Sequence, residues 1–131
     1  MKILAIGDFH GKFPEKLKEK IKDVDLIVSI GDYMPFSLRK QFFKHAYRSD
    51  KELWEVLGKE AIKKAELRDI KEGEKILEFL NKQKPPVITV SGNLDRAKWK
   101  DATDYKLPKW KWVDQDFFTP LVRKFENIKC F

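Results

Sequence analysis

Three short apolar segments constrain the fold of this chain more than any other feature. Each is followed, within two residues, by a glycine and then by an aspartate or asparagine. They are KILAI at residues 2–6, LIVSI at 26–30 and VITV at 87–90. Nearly continuous runs of Val, Ile and Leu are typical of strands covered on both faces. Between the first two runs, apolar residues recur at helical spacing, at Leu17, Ile21 and Val24. Strand, helix and strand in this order predict a right-handed crossover and an α/β fold, a parallel-stranded sheet with flanking helices.

The stretch between the second and third strands is predicted to be a helical insert at about residues 35–83. Its apolar residues recur at helical spacing in three segments, FSLRKQFFKHAYR, SDKELWEVLGKEAIKKAEL and EGEKILEFLNKQ. Ser49 or Asp50 is the expected cap of the second helix. An aromatic-rich segment at about residues 96–120 follows the third strand, and FENIKCF at the end of the chain predicts a fourth strand. We treat residues 1–131 as a single domain.

The composition is that of a globular protein with an excess of basic residues. The chain has 131 residues, a formal net charge of +7 and a single cysteine, Cys130, so a disulfide framework within the chain is excluded. No apolar run approaches the length of a membrane span, and the first strand leaves no room for a signal peptide. We therefore expect a cytoplasmic protein without a membrane partner. A charged fraction of 37%, rich in Lys and Glu, is also typical of thermophile proteins.

Polar residues follow each of the three strands and are expected to meet in one crevice. Ligand sites in open parallel sheets lie beyond the carboxyl ends of the strands. The residues are Asp8, His10, Asp32, Asn93 and Asp95. Two carboxylates, one imidazole and one amide oxygen suit a divalent ion such as Mn²⁺, Fe²⁺ or Zn²⁺. Each turn alone is more often an ordinary turn or helix cap, so the prediction of a metal site depends on the three turns together.

The motifs GDFHG (7–11), GDY (31–33) and GNLD (92–95) together resemble the opening signatures of the calcineurin-like metallophosphoesterases. The resemblance implies a four-layer α/β/β/α sandwich, of which this chain would supply the first half. It implies two divalent metal ions (Mn, Fe, Zn or Ni) that act on a phosphate monoester or diester. Asp8 and His10 would hold the first ion and Asp32 would bridge both. Asn93 would hold the second ion and contact the substrate, and Asp95 is a further candidate for a catalytic role.

The chain departs from the family pattern in its histidines. Leu94 stands where many members have a histidine thought to act on the leaving group, which resembles the small bacterial and archaeal phosphodiesterases that lack it. Esters with good leaving groups are therefore expected. The family also uses three further histidines downstream, two of them in a Gly-His-x-His turn, whereas this chain has only His10 and His45. His45 is more consistent with a helix surface than with a ligand. We expect a truncated domain with weak metal binding and low or no turnover.

Half of such a sandwich would leave one face of its sheet bare, which monomers seldom tolerate. One alternative is that the aromatic-rich segment folds over this face, with Trp99, Trp110, Trp112, Phe117 and Phe118. The other is that a second copy of the chain covers it. We favour the homodimer.

Two other functions stay open from the sequence. RAKWKDATDYKLPKWKW, at residues 96–112, interleaves aromatic rings with lysines, a pattern that can bind single-stranded nucleic acid by stacking and charge. The alternative that these tryptophans fill a core or a dimer interface is favoured, because such local patterns are weak signals. A third interpretation is a catalytically inactive remnant that persists as a folded scaffold.

Overall fold

The fold is built on one parallel four-stranded sheet. The computed structural model describes residues 1–95 and 118–131. The strands in these ranges are β1 (Ile3–Ile6), β2 (Leu26–Ser29), β3 (Val87–Thr89) and β4 (Ile128–Cys130). They pair in that order, each parallel to the next. The predicted α/β fold is confirmed, including the fourth strand at the end of the chain.

Five helices and two short 3₁₀ turns lie in the described ranges. The helices are α1 (Glu15–Lys20), α2 (Arg39–His45), α3 (Leu53–Leu57), α4 (Lys59–Asn81) and α5 (Phe118–Val122). The 3₁₀ turns are Ile21–Asp23 and Asn93–Asp95. None of these helices combines the length and the apolar composition that crossing a membrane requires.

One face of the sheet carries the hydrophobic core. The cross-strand row Leu4, Ile27, Val87 and Ile128 lies on this face. It packs in one cluster with side chains from the helices: Ile21, Ile76, Leu77, Leu80, Phe118, Leu121 and Val122. Right-handed crossovers between strands in sequential order place every connecting helix on the same side of a sheet, which explains this one-sided core.

The opposite face is more accessible, so the prediction of strands covered on both faces is wrong for this sheet. Val28 and Ile88 lie side by side on this face and are only half-buried, while Ile3 at its edge is 51% exposed. Phe118, expected to cover a bare face, instead lies in the core and stacks on Tyr33. Residues 96–117, which hold the other aromatic residues of that expectation, lie outside the described residues.

The helical insert differs from its prediction in where its helices begin and end. Gly58, at a φ of 83°, separates α3 from α4, whereas Gly73 lies inside α4, which runs unbroken for 23 residues through two of the predicted segments. A Cβ atom at Gly73 would come within 2.8 Å of the Met34 sulfur, so the glycine lets the loop after β2 pack closely on the helix. Glu52, rather than Ser49 or Asp50, caps α3 through a capping box with Glu55.

Candidate metal centre

The loops that follow β1 and β2 run side by side beyond the sheet. The backbone N–H of Asp8 donates to the carbonyl of Gly31 at 3.0 Å, and that of His10 donates to the carbonyl of Asp32 at 2.9 Å. Gly11 donates to the carbonyl of Tyr33 at 2.8 Å. These bonds extend the β1–β2 pairing past the ends of the strands and fix the two loops in register.

Asp8, His10 and Asp32 come together at these loop tips. One ligand atom of each lies within 4.8 Å of the ligand atoms of the other two. In residues 1–95 and 118–131, this is the one group of three or more His, Cys, Asp and Glu side chains close enough together to hold a metal ion. The His10 Nε2 lies 2.7 Å from Asp8 Oδ1, and both side chains are accessible to solvent. Two carboxylates and an imidazole that converge at an open surface fit a divalent ion of the borderline-hard class.

The backbone at all three positions is left-handed. Asp8, His10 and Asp32 have φ values of 59°, 48° and 57°, and the one further non-glycine residue with positive φ in the described ranges is Arg48. Such a conformation costs about 1–2 kcal/mol per residue relative to the right-handed one. Backbone strain of this kind clusters at functional sites. Its concentration at the three proposed ligands supports a functional role for these loops.

Two glycines let the third loop pack directly against the second. A Cβ atom on Gly92 would overlap the backbone nitrogen and the Oδ1 of Asp32. A Cβ atom on Gly31 would overlap the backbone nitrogen of Gly92 and would lie 2.6 Å from the carbonyl oxygen of Val90. A side chain at either position would therefore displace Asp32 from the candidate centre.

Asp95 lies beneath the loop that carries Asp32. Its side chain is fully buried, and its Oδ2 accepts the backbone N–H groups of Asp32 at 2.7 Å and Gly92 at 2.9 Å. Its Oδ1 accepts those of Tyr33 at 2.8 Å and Met34 at 3.2 Å. Burial raises the pKa of Asp95, and the four backbone hydrogen bonds oppose that shift. The Asp95 carboxylate thus holds the backbone of this loop in place from the protein interior.

The Asp32 carboxylate is itself oriented by the third loop. The backbone N–H of Leu94 donates to Asp32 Oδ1 at 2.9 Å. Together with the bond from the Asp32 N–H to Asp95, this contact fixes both the backbone and the side chain of Asp32. Sequence reasoning did not identify this two-way attachment, although the spacing of Gly92 and Asp95 in GNLD is what makes it geometrically accessible.

A buried polar network supports the loop from below. The Tyr33 hydroxyl donates to Ser29 Oγ at 2.7 Å and lies 2.8 Å from Thr89 Oγ1. Its ring stacks between Phe9 and Phe118, with centroid separations of 5.2 and 5.6 Å. Burial raises the pKa of Tyr33 to about 12, because the phenolate would be poorly solvated there.

Asn93 lies in the 3₁₀ turn after β3 and shares a pocket with His10. The pocket has a volume of about 500 Å³. The other side chains that line it are Pro35, Phe36, Arg39, Phe43 and Leu94. Sequence reasoning did not identify Phe36, Arg39 or Phe43, because nothing in their spacing distinguishes them from ordinary helix residues. His45, at the end of α2, lies outside the candidate metal group.

Comparison with known proteins agrees with this geometry. The family model for calcineurin-like phosphoesterases matches residues 1–130. The chain therefore belongs to the calcineurin-like phosphoesterase family, as its three motifs predicted. No curated protein and no solved structure matches it significantly.

Proposed function

We propose that this chain is a metal-dependent phosphoesterase that hydrolyses phosphate monoesters or diesters. The observation that carries the proposal is the convergence of Asp8, His10 and Asp32, whose ligand atoms lie within 4.8 Å of one another at the ends of two parallel strands. The family membership supports the same chemistry. When bound, divalent ions would polarise a phosphoryl oxygen and lower the pKa of the attacking water.

The roles proposed for the residues are those that the family motifs imply, and the grouping of Asp8, His10 and Asp32 supports them. Asp8 and His10 would hold the first ion, Asp32 would bridge two ions, and Asn93 would hold the second ion and contact substrate. The ions belong to the group Mn, Fe, Zn and Ni. Asp95 acts as a positioning residue, because both of its oxygens are engaged by backbone N–H groups in the interior.

The proposed reaction is slow and favours esters with good leaving groups. Leu94 offers no proton to a departing alkoxide, so a leaving group must be stable as an anion. The chain has only two histidines, His10 and His45, so its own imidazoles cannot complete the ligand set that the family uses. We therefore expect weak binding of Mn²⁺ and low turnover.

Asp32→Asn tests the proposal. The amide oxygen can still accept the Leu94 N–H, so the loop is retained while the charge at the bridging position is lost. Asp23→Asn, at an exposed position in the 3₁₀ turn after α1, is the matched control. Mn²⁺ binding by equilibrium dialysis should weaken at least about tenfold in Asp32→Asn, the range seen when metal sites lose a supporting group, and stay unchanged in the control.

Hydrolysis of bis(4-nitrophenyl) phosphate provides the second measurement. Turnover should depend on added Mn²⁺ and disappear in Asp32→Asn but not in Asp23→Asn. Equal Mn²⁺ binding by all three proteins, or equal turnover in the presence of a chelator, would contradict the proposal. Turnover by the unaltered chain as fast as that of efficient enzymes would overturn only the expectation of weak activity.

The nucleic-acid alternative stays a prediction, because residues 96–112 lie outside the described residues. A basic chain with a net charge of +7 supports it only in a general way. Its test is the salt dependence of oligonucleotide binding, which should be steep and should be lost on Trp110→Ala with Trp112→Ala.

A further inference from the structure

The pocket beside the candidate metal centre has two chemically different parts. His10 and Asn93, both proposed ligands, contribute its polar part. Phe36, Phe43 and Leu94 contribute apolar walls. Arg39 is the one permanently charged side chain among the described residues that line it. Its volume of about 500 Å³ is within the range of small-molecule sites.

The aromatic wall belongs to a ring cluster that holds it in place. Phe42 lies against Phe36 with centroids 5.7 Å apart and against Phe43 with centroids 5.5 Å apart. Phe43 remains 49% exposed although it packs on this cluster. A ring that is fixed by its neighbours and accessible on one side can stack on a flat ligand with little loss of side-chain freedom.

Arg39 places a positive charge on the same wall. Its guanidinium carbon lies 5.7 Å from the centroid of the Phe43 ring. Guanidinium groups bind phosphate oxygens through paired hydrogen bonds and also lie well against aromatic faces. The wall therefore offers a cation and a ring next to one another, which matches a ligand that has a phosphate and a ring next to one another.

We propose that this pocket binds the leaving group of the substrate, and that the substrate is a phosphate ester whose leaving group carries a flat aromatic ring. The ring stacks on Phe43 between Phe36 and Leu94, while Arg39 binds a phosphate oxygen. The inference rests on the proposed function and adds the class of substrate. It agrees with Leu94, because an aromatic alcohol leaves as a stabilised anion and needs no proton donor.

A binding measurement tests the pocket without depending on turnover. Phenylphosphonate and methylphosphonate, which are not hydrolysed, are titrated into the full chain with Mn²⁺ and followed by calorimetry. Phenylphosphonate should bind about 3- to 10-fold more tightly, the size expected of one aromatic contact. Phe43→Ala should abolish this preference without changing the affinity for methylphosphonate. Arg39→Gln should weaken both ligands by a similar factor.

Leu67→Ala is the matched control. Leu67 is also 49% exposed, and it lies on α4 among residues that line a different surface depression. This variant should keep the preference for the phenyl compound. Equal affinities for the two phosphonates in the unaltered protein, or a preference that survives Phe43→Ala, would overturn the proposed subsite.

Two further measurements show which kind of molecule carries the ring and distinguish a failure of the proposed subsite from a failure of the phosphoesterase proposal. Adenosine 5′-phosphate compared with ribose 5-phosphate tests whether a nucleobase can occupy the subsite. A base preference lost in Phe43→Ala shows that the subsite binds nucleobases as well as aryl groups, although the ribose alkoxide is a poor leaving group, and its absence restricts the subsite to simple aryl groups. Mn²⁺-dependent hydrolysis without any phenyl preference would overturn the subsite and leave the phosphoesterase proposal intact. A phenyl preference without Mn²⁺-dependent hydrolysis would overturn the phosphoesterase proposal and leave the binding subsite intact.

Discussion

Replacing Asp95 with asparagine should remove much of the stability of the loop that presents Asp32. Each carboxylate oxygen of Asp95 accepts two backbone N–H groups, one oxygen from Tyr33 and Met34 and the other from Asp32 and Gly92. Asparagine keeps one oxygen and turns the other into an NH₂ group. That NH₂ group is a donor facing two donors, so two backbone N–H groups lose their acceptor.

The size of the effect follows from these two orphaned donors. A buried polar group left without a partner costs about 1–3 kcal/mol, so two of them cost about 2–6 kcal/mol. Burial raises the pKa of Asp95, which means that the charge is poorly solvated, and the neutral amide avoids that cost. The net loss is therefore expected at the lower end, about 2–4 kcal/mol, a large part of the about 5–15 kcal/mol typical of a domain.

Urea unfolding followed by circular dichroism measures this loss. With a denaturant dependence of about 1–3 kcal/mol per molar, the midpoint for Asp95→Asn should fall by about 0.7–4 M. Asp23→Asn, the exposed aspartate used above, should leave the midpoint unchanged. A midpoint for Asp95→Asn equal to that of the Asp23 variant would refute the claim that the four hydrogen bonds hold the loop.

Three other perturbations test neighbouring parts of the structure. Gly92→Ala should abolish Mn²⁺ binding in equilibrium dialysis, because its Cβ would overlap Asp32, whereas Gly58→Ala, whose Cβ would meet no atom within 4 Å, should bind normally despite its positive φ. Since the pKa of Tyr33 is raised to about 12, the unfolded chain loses this proton first, so the stability of the unaltered protein should fall by about 2 kcal/mol as pH rises from 10 to 12. Tyr33→Phe should lack that component in urea titrations across this range. Sedimentation equilibrium should give a mass that rises with concentration if a second copy covers the face of Val28, and a constant monomer mass would contradict the homodimer.

Much of the fold could be predicted because it depends on local pattern. The apolar runs at β1, β2 and β3 and the turns after them are short-range signals, and the segment with Ile128 identified β4 in the same way. The failures have non-local causes. The second and third predicted helical segments were expected to be separate, but α4 runs through both, and Met34 from a distant loop packs on it at Gly73. One face of the sheet is accessible because helix placement depends on strand order, which the apolar runs do not encode.

The candidate site was also predictable only in part, because its ligands lie in local motifs and its pocket does not. The motifs predicted which residues meet, and Asp8, His10 and Asp32 do converge. They did not predict the pocket, because Arg39 and Phe43 reach it only through the fold of α2 beside the loops. A binding wall built on a helix has no motif spacing of its own, so only three-dimensional placement can distinguish it from an ordinary amphipathic surface.

The strained loops and the buried Asp95 carboxylate are linked by hydrogen bonds, so a change in one should affect the other. Left-handed backbone at Asp8, His10 and Asp32 costs about 3–6 kcal/mol in total, which is comparable to what Asp95 contributes through its four hydrogen bonds. Asp95 accepts backbone N–H groups from the loop of Asp32 and from Gly92, and the Asp32 carbonyl in turn accepts the backbone N–H of His10. Loss of Asp95 should therefore let Asp32 relax first and carry His10 with it. The ligand set would then separate, although Phe9, Tyr33 and Met34 of the same loops are packed in the core.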